Sequence, residues 1–480
     1  MIKKNNFLAF LLSAFYVVFL AFFLWNEEYL FLLIPLVMTV LYYAVFDFKS
    51  LFFLVVFLTP LSMSLADLGL GGLNVEMAFP TEPILFGLML LALFKMFHDF
   101  TSFKSVFKHP ITICVILYLM WMIITCFMSS MPLVSFKLFL SRLWYILPIF
   151  FMGVLIFRSK KNIQKFILVY CLPLSAVVLY TILRHSSYFF DKHSAHYMMS
   201  PFFNDHTSYG AVIAFFIPLL ISLFLVKRKN FLMKFFVLII ILILVVGLIL
   251  SFTRAAWISL LLACCFVILL KLKINRKLLF VIPSFIVFMF FLFQNPILDT
   301  LKSNKQDSSD NLIEHFTSIS NISTDASNME RINRWKCALE MFLEKPVFGW
   351  GPGTYQFQYA PFQLYNDKTI ISSNHGDMGN AHSEYLGPLA ESGFLGLSFF
   401  VLLVLVVVLR AIYLYDTLED PQLKTLLLAI IAALLSYFIH GAFNNFLDTD
   451  KASVALWSVI SIIVALDLFH DKQDVINSEK

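Results

Sequence analysis

Charge is what this sequence most lacks. Only 14% of its 480 residues are Asp, Glu, Lys or Arg, and 60% are hydrophobic, whereas soluble domains run at roughly 25% charged residues. With a mean hydropathy of +0.84, a water-soluble globular chain is excluded. Cysteine is scarce and badly placed for bridging. Cys114, Cys126, Cys171, Cys264 and Cys265 lie in apolar runs, where cysteine behaves as a small hydrophobe, and only Cys337 does not, so no disulfide framework is expected. There is no HExxH or CxxC spacing and no GK[ST], so neither a metal centre nor a phosphate-binding P-loop is indicated. No internal repeat marks a transporter built of two halves. The net charge of +5 is too small to suggest nucleic acid. The opening "MIKKNNFLAFLLSAFYVVFLAFFLW" lacks a small-residue cleavage site, and its apolar run is too long for a signal peptide, so it is expected to stay as a first helix.

What is present is a series of apolar segments of bilayer-spanning length. They fall at Phe7–Trp25, Tyr29–Phe46, Leu51–Leu65, Pro83–Phe97, Ile111–Ser129, Leu138–Phe157 and Ile163–Leu183. They continue at Tyr209–Val226, Phe231–Leu250, Ala255–Leu272, Leu278–Phe293, Leu395–Leu414, Thr425–Phe443 and Ala452–Phe469. The third is short and contains Pro60, so the expected fold is all-α and polytopic, with about 12–14 transmembrane helices. The connections alternate in charge. Lys3/Lys4, Lys49, Lys95/Lys104/Lys108, Arg158/Lys160/Lys161, "KRKN" and "KLKINRK" fall on one side, which the positive-inside rule makes cytoplasmic, with both termini inside. Parity then puts three pieces on the outer face: 184–208, the turn bearing Arg254, and a long loop at about 294–393 expected to contain short helices. The domains expected are 1–183, N-terminal helices; 184–293, central helices with the arginine turn; 294–393, the outer loop; and 394–480, C-terminal helices with a short cytoplasmic tail.

Arg254 stands in "LILSFTRAAWISLLL" between two apolar runs. An arginine there can be an interfacial anchor, but an ionisable residue flanked by spans is first a functional candidate. The outer loop carries "SNMERINRWKCALEMFLEKP", whose Ser327 and Glu330 fit a capping box and whose Pro346 follows its end. Met329, Ile332, Trp335, Leu339 and Phe342 share one helical face with Arg331 and Arg334 towards its flank. Such a helix suits the membrane surface with its arginines at headgroup level, or packing on the loop with the arginines solvated. Next, "PVFGWGPGTYQF" holds three glycines and two prolines, a shaped turn that lets backbone approach a ligand, with Trp350 and Gly351 at its centre. Then "GNAHSEYLGPLAESGFLGLSFF" puts His382 at or just before a helix start, a general-base candidate near neutral pH. Glu384 and Glu391 are not three or four residues from it, so the group that would orient His382 is open. A structural histidine, or a metal site with His375 and Glu384, is the competing reading.

Three pieces stand in order: "TRAAW" between spans, "RxxRW…ALxMFxxxPxxGWGPGTY", and "AHSEYLGPLAESGFLGL". With one large late loop, the set resembles the O-antigen ligase and polymerase superfamily of bacterial envelope glycosyltransferases. "PFFNDHTSYGAVIAFFIPLL", 201–220, is similar to that family's entry into the span before the arginine turn. The family's frequent arginine just before this element is missing from "DKHSAHYMM", 191–199; Arg184 is the nearest substitute. The resemblance implies transfer of a glycan from an undecaprenyl diphosphate carrier to an acceptor hydroxyl, on the periplasmic face of the inner membrane, inverting and without metal or other cofactor. It implies His382 as the base. Arg254, with Arg331 or Arg334, suits the diphosphate because the guanidinium fork bonds phosphate oxygens in pairs. Glu384, Tyr385, Trp350, Gly351, Asn204, Asp205 and His206 are expected to support or shape the site. The partners implied are the lipid-linked glycan donor, a lipid or glycan acceptor, and membrane lipids. A ligase is the leading reading. A polysaccharide polymerase, a protein O-oligosaccharyltransferase and a transporter of lipid-linked sugars are the alternatives.

Overall fold

The computed structural model describes residues 47–66, 77–226, 230–275, 326–363 and 379–469, with single helical residues at 16, 19, 38 and 42. By internal contacts the chain divides into residues 1–55 and 56–480, and the second unit carries the elements of interest. Its helices are α1 (Thr81–His98), α2 (Phe100–Phe107), α3 (Pro110–Phe127), α4 (Pro132–Ile156), α5 (Lys160–Ser186) and α6 (His206–Phe224). There follow α7 (Phe231–Leu250), α8 (Arg254–Lys271), α9 (Ala326–Glu344), α10 (Leu386–Thr417), α11 (Pro421–His440) and α12 (Asp450–Phe469). Two short strands, β1 (Met63–Ser64) and β2 (Ala78–Phe79), pair antiparallel. The fold is all-α, and among the described residues ten helices are long and apolar enough to cross a membrane. Apart from those single residues, the expected segments Phe7–Trp25 and Tyr29–Phe46, and all of Leu278–Phe293, lie outside the described residues. Leu51–Leu65 is helical only through Leu61, with Pro60 in its closing turn.

Local chemistry sets the helix starts. Asp205 accepts from the amides of Thr207 and Ser208 to cap α6, Asp420 from Gln422 to cap α11, and Asp99 from Ser102 to cap α2. Prolines occupy the first turns of α3, α4 and α11, where no intrahelical partner is lost. The helix expected just after His382 starts at Leu386 and runs on as α10, with Gly393, the expected end of the loop, a kink within it at φ 68°. There the amide of Phe394 donates to the carbonyl of Pro346 at 2.9 Å. A Cβ on Gly393 would stand 2.1 Å from the Val347 carbonyl oxygen.

Burial separates enclosed helices from lipid-facing ones. In α12 89% of the spanning window is buried and in α6 83%, against 22% in α8, which explains apolar residues on every face of α6 and α12. Helix α6 packs on α11, α11 also on α8, and α10 on α3 and α9. Helix α12 carries a buried charge near each end. Asp450 accepts from the hydroxyls of Ser62 and Thr81, both at 2.5 Å, beside Lys451, whose Nζ is 2.7 Å from Ser62 Oγ. Asp467 meets His109 at 2.8 Å and Arg410 Nη2 at 3.0 Å. Seventeen residues of helix separate the two carboxylates, about 26 Å of rise, close to the thickness of a bilayer's hydrocarbon core.

Helix α9 keeps only part of the expected face inward: Ile332 is buried and Trp335 packs on Phe443. Glu330, Asn333, Arg334, Cys337, Ala338 and Met341 are buried, while Leu339 is 36% exposed. Small residues at 337 and 338 allow close approach to Tyr355, Tyr359, Ala381 and Ala390. Glu330 pairs with Arg334 at 2.7 Å, an i,i+4 ion pair, while the Ser327 side chain of the expected capping box lies outside the described residues. The helix packs on α10, and Arg334 is buried within that packing rather than solvated.

Gly393→Ala should destabilise the protein by about 1–3 kcal/mol, the cost of left-handed strain, before adding the clash. Thermal unfolding in detergent tests this: a melting temperature equal to the parent's would contradict the kink's role.

Candidate functional site

The site is built on the connection between α11 and α12, residues 441–449. Glu384 binds it twice over. Its amide donates to the Gly441 carbonyl at 2.7 Å, and its Oε1 accepts from Tyr437 Oη at 2.8 Å and the amides of Phe446 and Leu447 at 2.6 and 2.9 Å. Burial raises the Glu384 pKa, and the Arg142 charge with these donors works against that rise. Arg142 reaches the same connection from α4, donating to the Leu447 carbonyl and, at 2.7 Å, to Asp448. Tyr385 adds a bond from its hydroxyl to the Phe438 carbonyl at 3.0 Å. Glu384 and Tyr385 therefore fasten the His382 segment to α11, and the Glu384 oxygen that makes these bonds serves the backbone rather than the His382 ring.

His382 lies between that anchor and α9. Its backbone is left-handed, φ 47°, with its amide on Asn380 Oδ1 at 3.0 Å and its carbonyl accepting from Trp335 Nε1 at 3.3 Å. Burial first, then the positive charges of Arg331 and Arg334, push its imidazole down to about 4, with Glu330 and Asp205 pulling the other way. His382 is thus neutral at physiological pH, the form that accepts a proton.

The two loop arginines differ. Arg334 Nε is committed to Glu330 at 2.7 Å, and its guanidinium lies 3.9 Å from the centre of the Tyr359 ring. Arg331 acts electrostatically on His382 and also on His440, the last residue of α11. Asp205 acts on the same two histidines. Arg254 opens α8 after a turn in which Phe252 has φ 51°. That turn is latched by Thr253 Oγ1 on the His206 carbonyl and by Trp257 Nε1 on the Leu248 carbonyl, both at 2.8 Å. Arg254 therefore neighbours the start of α6, where Asp205 is the cap, the His206 ring lies tilted against His196 with centres 4.1 Å apart and Asn204 is exposed.

Trp350 and Gly351 serve packing. The Trp350 carbonyl accepts from the amide and hydroxyl of Ser130 at 2.9 and 2.8 Å. Gly351, at φ 112°, presses so closely that a Cβ would sit 1.9 Å from Ser129 Oγ. The glycines bring backbone close to the α3–α4 turn of the protein itself. Arg184 is tied to the Ser200 carbonyl at 2.7 Å. Sequence reading missed Arg142, Tyr437, His440 and the connection they hold. A charge inside the apolar run "FLSRLWYILP" was the available signal for Arg142. Among the described residues no three His, Cys, Asp or Glu side chains are grouped to hold a metal.

Residues 239–401 match the family model described as O-antigen ligase. The chain carries an O-antigen ligase domain. Members of that superfamily are membrane enzymes of glycosyltransferase type, and the ten long apolar helices among the described residues suit a multi-pass membrane protein. Arg254, Arg331, Arg334, Trp350, Gly351, His382, Glu384 and Tyr385 fall inside the O-antigen ligase match, whereas Asp205, Arg142 and His440 are contributed from outside it. No curated protein matches the chain.

Titrating histidine-labelled protein by NMR should find His382 neutral down to about pH 4. Arg331→Gln should move the midpoint upward, because removing a cation makes the imidazolium less unfavourable. A parent midpoint at or above 6.5, the ordinary value, would contradict this environment. Glu384→Ala strands several buried donors at about 1–3 kcal/mol each, and should lower the melting temperature much more than Glu384→Gln.

Proposed function

We propose that the protein transfers a glycan from an undecaprenyl diphosphate carrier to an acceptor hydroxyl, at the periplasmic face of the bacterial inner membrane, as an O-antigen ligase. The observation that carries this reading is the shared end of the bundle: a histidine kept neutral beside Arg331, with the Arg254 turn latched to the α6 start that Asp205 caps. Arg254 occupies the first position of a helix, where the macrodipole already presents positive charge. A cation there is stabilised by an anion, and a lipid diphosphate lies at this depth. Arg331 is the second cation of the proposal; Arg334, committed to Glu330 and Tyr359, holds α9 in place.

The acceptor oxygen attacks the anomeric carbon as its proton passes to His382. The bond from that carbon to the phosphate oxygen breaks with inversion, and the lipid diphosphate leaves between the arginines. His382 then releases the proton to water. Stabilising the leaving anion in a site shielded from water is the main source of rate in this scheme. A transporter is disfavoured because these charged groups gather at one end of the bundle rather than at mid-membrane.

In vesicles carrying a lipid-diphosphate glycan, the ligase reading expects one donor glycan moved once to a lipid acceptor. A ladder still on the carrier would make the protein a polymerase, and glycan on a peptide hydroxyl an oligosaccharyltransferase. Arg254→Ala and His382→Ala should each lower transfer by about a hundredfold or more, and Arg254→Lys should retain part. Full activity in well-expressed Arg254→Ala would sink the diphosphate role.

A further inference from the structure

His440 is a buried histidine with one ring nitrogen accounted for and one not. It ends α11 at 1% exposure. Its Nε2 lies 3.1 Å from Asn444 Nδ2. An amide nitrogen only donates, so Nε2 accepts, the ring is neutral and its proton resides on Nδ1. That Nδ1 is buried and, among the described residues, has no hydrogen-bond partner. Buried donors are almost always paired, and the exceptions mark ordered water, strain or a missing ligand.

The surroundings narrow the choice. The Phe446 ring packs at 5.6 Å, and the fixed charges acting on His440 are Arg331 and Asp205, the pair that also acts on His382. With Nε2 engaged, the ring can serve only an acceptor oxygen, and the cation beside it favours an oxygen bearing negative charge. We infer that His440 is a further substrate-binding residue, donating its Nδ1–H to a phosphate oxygen of the lipid diphosphate that Arg331 holds. This rests on the donor assignment proposed above. It gives the anion a neutral donor whose tautomer Asn444 sets, so that the phosphate is held at depth without a third cation near His382.

Undecaprenyl diphosphate without glycan tests binding apart from turnover, through its concentration-dependent thermal stabilisation of the detergent-solubilised protein. The parent and His382→Ala should be stabilised alike. His440→Leu should need about tenfold more lipid, the loss of a charge-assisted hydrogen bond, and His440→Gln, which keeps an N–H donor, should fall between. If His440→Leu does not fold, Asn444→Leu, which frees the tautomer but leaves the ring, should weaken binding about threefold. Parent-like binding in the folded leucine variant overturns the role of His440. Absence of stabilisation in every protein, the parent included, overturns instead the lipid-diphosphate assignment beneath it.

Discussion

The buried carboxylate of Glu384 is the interaction on which the site depends. Oε1 gathers the Tyr437 hydroxyl and two amides of the 441–449 connection, and so joins the segment bearing His382 to the end of α11. A carboxylate is costly to bury, and the donors around it supply the compensation. Arg142 reaches the connection from the opposite side. Without this anchor the His382 segment would be held by fewer bonds, those of Trp335 to its carbonyl and of Tyr385 to the Phe438 carbonyl.

The electrostatics follow from the same arrangement. Burial and two arginines keep His382 neutral, which preserves a base but makes it a weak one. In the proposed scheme an anion bound beside Arg331 would offset the cationic part of that shift and raise the basicity of His382, while burial, its largest cause, remains. Arg334 is better understood as part of the scaffold. Its ion pair with Glu330 and its contact with Tyr359 fill the middle of the α9 interface.

Helix α12 provides the frame for this chemistry. Its buried charges stand about 26 Å apart along the axis, each satisfied by side chains from other elements. Their separation fits a bilayer's apolar core. The Asp450 end continues directly into the connection that Glu384 and Arg142 hold.

The ten long helices could be read from the sequence because a bilayer span demands a long apolar run, and backbone hydrogen bonding leaves such a run little choice but helix. Arg254, Arg331 and His382 could be singled out as candidates for a related reason: charge or a titratable ring beside apolar runs has few cheap explanations. What the sequence could not determine was which polar residues face one another. Glu384 is two residues from His382 yet bonds to residues 53 to 63 positions away. Arg334 differs from Arg331 only in the face of α9 it occupies. His440, read as part of an apolar span, acquires meaning from the local turn that brings Asn444 to its ring and from Arg331 and Asp205, which act on it only once α6, α9 and α11 are packed. Hydrophobic length is a local property and fixes the spans; pairing of buried polar groups is nonlocal, and the tertiary structure alone decides it.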